Sequence, residues 1–364
     1  MVVRIVFRVD ASTEIGTGHV MRCLTLAGAL RSSGAYCHFI CRELPGNLIK
    51  LIRSKNYTVD TLPITATYKP YTRKGETVLA HEHWLGSTQL EDVKQCLPIL
   101  SDIRPQWLVV DHYALDATWE NKTRDFCERV MVIDDLADRF HQCDLLLDQT
   151  LGRRKSQYSE FVPEHSQLLC GPRYALLRAE FSEWRSYSLQ RRSSGRLQSL
   201  LINMGGVDKD NLTGVVLDTL KSFSGYGNHV IRVVMGGSAP WLKDVKVLAD
   251  SMPVQTEVLV GVDNMAQLMA ESDMAIGAAG ATAWERCCVG LPSLMFVLAE
   301  NQRLIARSLE RAGAARVVDL QGLKAEIWGE DEAQNSTLAK MSARAASIVD
   351  GAGTKRVIEH LLRK

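Results

Sequence analysis

Short apolar runs that each end in a glycine or a cluster of polar residues recur along this chain, and helical patterns separate them. In the first half the runs are residues 2–9, 36–41, 107–111, 130–133 and 145–147. In the second half they are 197–203, 230–235, 257–260, 274–276 and 294–297. Helical spacing fills 19–33, 47–54 and 87–103, with Met21, Leu24, Leu26, Ala27 and Leu30 as the apolar face of the first and Gly34 as its stop. Runs this apolar suit strands buried on both faces, and strand–helix alternation predicts parallel sheets in an α/β fold. The rhythm breaks at 182–196, where Ser, Arg, Gln and Gly dominate, and then restarts. The boundary is therefore placed there or just before it, giving domains 1–190 and 191–364, within the usual domain size. The polar stretch 64–87 is expected to be an irregular excursion.

Composition narrows the function classes. The 43 Lys+Arg balance 42 Asp+Glu, a net charge of +1, so no general field draws in nucleic acid or an anionic membrane. Nine cysteines, an odd number without a Cys-x-x-Cys pair, are expected to be free thiols in a reducing compartment. Arg4 and Arg8 interrupt the first apolar run, so it is not read as a signal peptide, and no run is long enough to span a bilayer. The expectation is a soluble cytoplasmic protein, with its oligomeric state left open.

In an open parallel sheet ligands bind at the carboxyl ends of the strands, so the residues just after each run carry the information. Asp10 and Gly16-Thr-Gly18-His19-Val-Met-Arg22 follow the first strand and open a helix. Gly16 and Gly18 permit a tight turn, and a helix N-terminus offers free N–H groups to an anion. Met21 stands where a dinucleotide fingerprint needs its last glycine, so that reading fails. His19 in a strand-to-helix turn is a general-base candidate, imidazole being the usual base near neutral pH. Asp111-His112-Tyr113 ends another strand; it either faces the same end of the sheet or caps and packs locally. Asp134-Asp135 could bind a metal, but no flanking ligand spacing supports one, and His81-Glu82-His83 lacks zinc-site spacing and is taken as solvated loop. In the second half, Gly205-Gly206-Val-Asp208 is a glycine turn, and Gly277 to Glu285 places Gly280, Ala281 and Thr282 at a helix start. Glu285 can accept from two ribose hydroxyls or serve as an ordinary first-turn acid. Asn301-Gln302 follows a later strand.

In that order and spacing, from residue 3 to about 320, these six motifs resemble the UDP-2,4-diacetamido-2,4,6-trideoxy-β-L-altropyranose hydrolases of pseudaminic acid biosynthesis. That family is similar in fold to the glycosyltransferase MurG. The resemblance implies a GT-B-like fold of two Rossmann-like domains with a cleft between them. It also implies inverting hydrolysis of a UDP-sugar without metal or cofactor. His19 would deprotonate water, with Tyr113 and Asp111 orienting it or the sugar. Gly280, Ala281 and Thr282 would cradle the pyrophosphate and Glu285 the ribose. Asn301 and Gln302 would hold the sugar, and Arg22 would face the leaving UDP. Asp10, Gly16, Gly18, Gly205 and Gly206 complete the expected substrate side. Two other readings remain: a GT-B transferase using a UDP-sugar and an acceptor other than water, and a non-catalytic sugar-nucleotide binder. No membrane-surface helix is seen that would serve a lipid acceptor.

Overall fold

The computed structural model describes residues 2–65, 79–192, 197–222, 229–327 and 332–363. These divide into two units, Met1–Leu176 with Thr354–Lys364, and Leu177–Gly353.

The first unit holds β1 (Arg4–Val9), α1 (Gly18–Ser32), β2 (Tyr36–Arg42), α2 (Ile49–Ser54), β3 (Thr58–Leu62), α3 (Gln89–Ile103), β4 (Trp107–Asp111), α4 (Ala117–Thr123), β5 (Arg129–Ile133), β6 (Leu145–Asp148) and β7 (Gln167–Cys170). Its seven strands lie in the order β3-β2-β1-β4-β5-β6-β7, every pair parallel. Alternate residues supply the two faces. Ile5, Phe7 and Val9 of β1 pack with Val20, Leu24 and Ala27 of α1. Val6 of the same strand packs with Val93, Cys96 and Leu100 of α3. Arg8 points to the α3 side as a buried charge, and it is matched there. Its Nε and Nη2 donate to Asp92 at 3.1 and 2.6 Å, and its Nη1 lies 2.8 Å from Asp10.

The second unit holds α5 (Ala179–Arg191), β8 (Ser199–Asn203), α6 (Leu212–Lys221), β9 (Val230–Met235), α7 (Leu242–Asp250), β10 (Gln255–Val260), α8 (Met265–Glu271), β11 (Met274–Ala278), α9 (Thr282–Cys288), β12 (Ser293–Phe296), α10 (Arg303–Arg311), β13 (Arg316–Val317), α11 (Leu320–Ile327) and α12 (Glu332–Ile348). Its six strands, also all parallel, run β10-β9-β8-β11-β12-β13.

Three strands lack a predicted apolar run: β3, β7 and β13. All lie at sheet edges and are partly exposed, so they lack the continuous apolar signal of the buried strands. The boundary also differs from the expected 190/191. Residues 182–191 are not a linker but most of α5, and the polar composition there has a packing reason. Arg185 donates to the Ala346 and Val349 carbonyls at 2.7 and 2.9 Å and to the Cys288 carbonyl, answering the exposed C-terminal ends of α12 and α9. Arg192 donates to the carbonyls of Ser272 and Val289 at 2.6 and 2.7 Å. The chain's last helix, α13 (Gly353–Leu362), returns to the first unit, where Val357 and Leu361 join its core and Trp107 Nε1 donates to the Leu361 carbonyl at 2.9 Å. Most of the 64–87 excursion, residues 66–78, lies outside the described residues.

Candidate functional site

His19 is the second residue of α1, so it stands at the carboxyl end of β1 with the helix N-terminus. The loop before it is tightly built. Ser12 Oγ accepts from the amides of Glu14 and Ile15 at 3.1 and 2.9 Å, the Gly16 amide returns to the Ser12 carbonyl at 2.9 Å, and Gly16 sits at φ +79°. That left-handed backbone is why a glycine stands at this turn. Gly18 has open space where a Cβ would project.

Asp111, at the end of neighbouring β4, lies under His19 with no exposure. His19 Nδ1 is 2.6 Å from Asp111 Oδ1. Arg22, one turn on, grips the same carboxylate with Nε at 2.6 Å from Oδ2 and Nη2 at 2.7 Å from Oδ1. Burial alone would raise the Asp111 carboxyl, but Arg22 and then His19 outweigh it and hold it well below the usual range. An ionised carboxylate only accepts, so His19 Nδ1 carries the proton toward Asp111. An imidazole, a carboxylate and a guanidinium thus sit in one chain of bonds.

Two residues complete the cluster. Asp135, after β5, receives Arg22 Nη1 at 2.5 Å and the Tyr113 hydroxyl at 2.9 Å. The Tyr113 ring meets His19 edge-on at 4.6 Å and 82°. Burial, then Asp135, pushes the Tyr113 hydroxyl well above its ordinary pKa, so it stays a neutral donor. Asp135 carries no expected role in the sequence reading beyond a possible metal pair. Here it closes the ring from Arg22 to Tyr113, while Asp134 turns away to Arg139 Nη1 and Tyr158 Oη, both at 2.8 Å.

Two residues depart from their expected substrate roles. Arg22 has its donors directed at Asp111 and Asp135, which leaves it a positioning residue and not a free partner for a phosphate. Asp10 is 1% exposed. It is spent on Arg8, on the Arg42 amide at 2.6 Å and on His112 Nε2 at 3.3 Å, forming the floor beneath the loop.

In the second unit the glycine run behaves differently. Gly277 is needed for packing, since a Cβ would lie 2.6 Å from the Asn203 carbonyl oxygen. Gly280 faces open space, its nearest neighbour being Gln302 Nε2, 3.9 Å from where a Cβ would stand. Among the described residues no group takes the amides of Gly280 and Ala281. Arg286 stiffens the loop from below, donating to the Ala278 carbonyl at 2.8 Å and Thr282 Oγ1 at 3.1 Å. Gln302 is bent back by its own bond from the Leu298 amide at 3.0 Å, and Asn301 is half-buried beside it. Gly205 takes φ +99°, and the Gly206 carbonyl packs so closely on Gly236 that a Cβ there would lie 2.1 Å away; this turn is shaped by backbone packing. Glu285 keeps 19% side-chain exposure and has Arg178 Nη2 at 3.8 Å. Burial outweighs Arg178 and Arg286 and pushes its carboxyl up to about 7.

Tandem α/β units with all-parallel sheets define the GT-B architecture, and solved structures share it. MurG of Acinetobacter baumannii superposes with a TM-score of 0.66 at 15% identity, covering 98% of this chain and 99% of that one. Residues 200–351 match the glycosyltransferase family 28 C-terminal domain. By sequence the chain is 24% identical over 311 residues to the UDP-2,4-diacetamido-2,4,6-trideoxy-beta-L-altropyranose hydrolase of Campylobacter jejuni, covering 85% of this chain and 97% of that protein. It is 25% identical over 298 residues to an uncharacterized protein of Methanocaldococcus jannaschii, covering 81% of this chain and 55% of that protein. The chain thus spans little more than half the length of that second relative.

Proposed function

We propose that this protein hydrolyses a UDP-sugar at the anomeric carbon, releasing UDP and the free deoxy-diacetamido sugar with inversion. The reading rests on one observation above all: His19 Nδ1 is bonded to the buried, ionised Asp111, which leaves Nε2 as the other ring nitrogen. Water is a poor nucleophile near neutral pH, and a UDP leaving group needs little protonation. A positioned base therefore supplies what the reaction lacks. His19 Nε2 takes a proton from water as the oxygen attacks, Asp111 stabilises the imidazolium, and Arg22 and Asp135 hold Asp111 and Tyr113 in place. In the second unit Gly280, Ala281 and Thr282 offer amides and small side chains to the pyrophosphate, and Glu285 accepts from the ribose hydroxyls. The kinship with the Campylobacter hydrolase supports this substrate class. No metal enters the reading: Asp134 and Asp135 each pair with an arginine, and no group of three or more His, Cys, Asp or Glu placed to hold an ion stands among the described residues.

A second reading is a UDP-sugar glycosyltransferase, favoured by the family 28 match of residues 200–351. Incubation of the protein with the UDP-sugar alone separates the two. Hydrolysis is expected to release UDP and free sugar without acceptor and to persist in EDTA, read by NMR for anomeric configuration. UDP release that requires an added acceptor establishes the transferase reading instead, and a requirement for a divalent ion overturns the metal-free mechanism.

A further inference from the structure

The turn at residues 79–87 carries no motif, and its histidines read as solvated loop. The structure places it otherwise. Glu82–Leu85 forms one 3₁₀ turn. Leu85 anchors it in the core with no exposure, and Gly86 closes it at φ +63°, where a Cβ would lie 2.9 Å from the Leu44 side chain. So fixed, the turn presents two half-buried rings to Tyr113. Trp84 stacks on Tyr113 at 5.8 Å and 26°, and His81 meets Tyr113 at 5.4 Å and Trp84 at 4.4 Å. Tyr113 in turn is the ring against His19. Among the described residues, neither the Trp84 indole N–H nor the His81 imidazole has a hydrogen-bond partner. Burial lowers the His81 pKa from its ordinary value, which favours a neutral ring able to both donate and accept.

An anchored aromatic wall with idle polar edges, continuous with the ring that packs on the base, is the make-up of a ligand-binding surface. It is suited to an apolar sugar face and to amide substituents, and poorly suited to a fully hydroxylated ring. We propose that Trp84 and His81 form the sugar-reading wall of this protein, selecting pyranoses with deoxy-methyl and acetamido groups. The wall rests on the UDP-sugar reading given above. Its apolar rings stack on the sugar face while His81 and the indole N–H meet an acetamido group, and neither contact depends on the nucleotide.

The test is calorimetric titration of the full chain carrying His19→Asn, so that no ligand is turned over, with three ligands: UDP, UDP-glucose and UDP-2,4-diacetamido-2,4,6-trideoxy-L-altrose. Trp84→Ala is expected to weaken the diacetamido sugar about tenfold, the hydroxylated sugar less, and UDP not at all, while Trp84→Phe keeps most of the preference. His81→Ala is expected to reduce the same preference, and it carries the comparison with Trp84→Phe should Trp84→Ala not fold. A loss equal across all three ligands, no loss for the diacetamido sugar, or a parent His19→Asn chain that binds this sugar no better than UDP overturns the proposal. UDP release by the wild type is scored separately, so a binding preference without hydrolysis rejects the hydrolase reading and leaves the wall standing.

Discussion

Both units place an acidic side chain near the carboxyl end of a central strand, and the two meet opposite fates. Asp111 of the first unit is bonded by Arg22 twice and by His19, and is held ionised despite complete burial. Glu285 of the second has one guanidinium at 3.8 Å, too far for a hydrogen bond, and its carboxyl is pushed up to about 7. A buried charge is costly unless paired, so the first arrangement is a finished network while the second carboxyl is pushed toward its neutral form. Finished networks suit chemistry, which needs fixed geometry before substrate arrives.

The comparison can be broken at four points. The largest effect is expected at His19: His19→Asn should lower kcat by about 10²–10⁴ while UDP still binds. If His19 only contacts a phosphate, UDP affinity falls instead and kcat at saturation stays near wild type. Next comes the lock. Arg22→Met leaves Asp111 and Asp135 with fewer partners in a buried site, so unfolding should become easier by about 3–5 kcal/mol, read from denaturant midpoints. An unchanged midpoint shows that the cluster is not a finished network. Third, Glu285→Ala should cost little stability but raise KM about 10- to 100-fold, with kcat nearly unchanged, because a ribose contact serves ground and transition states alike. A collapse of kcat alone moves Glu285 into the chemistry.

The smallest effect is in pH. Asp111 has a depressed folded pKa, so its stabilising contribution is full above the unfolded carboxylate range near ~4 and is lost as pH falls below it. Glu285 has a raised one, so its contribution is full below its ordinary 4.5 and is lost as pH rises through about 7. Glu285→Gln should therefore gain melting temperature relative to wild type at pH 8 and not at pH 4. Equal shifts at both pH values remove the contrast between the two carboxyls.

Central strands were legible because they are buried on both faces: Trp107–Asp111 and Val230–Met235 lie where the apolar runs predict. The edge strands β3, β7 and β13 were not, because their polar and exposed residues break the apolar run, whereas the edge strand β10 keeps one at 257–260. Local chemistry was legible too. His19 and Asp111 stand after apolar runs, and strand ends in a parallel sheet converge on one edge.

Whether a charged residue is free or spent belonged to the fold alone. Asp10 and Arg22 look like ligand groups in the chain, yet both are consumed by partners: Asp10 by Arg8, Arg22 by Asp111 and Asp135. The same holds for His81 and Trp84, which gain meaning from Tyr113, brought beside them across a gap of about thirty residues that no periodicity spans. Sequence determines which strands are buried and what each strand end offers, because those follow from local pattern. Tertiary structure decides which of those offers remain open, because pairing between distant charges depends on how strands and helices are brought together, and no spacing along the chain encodes it.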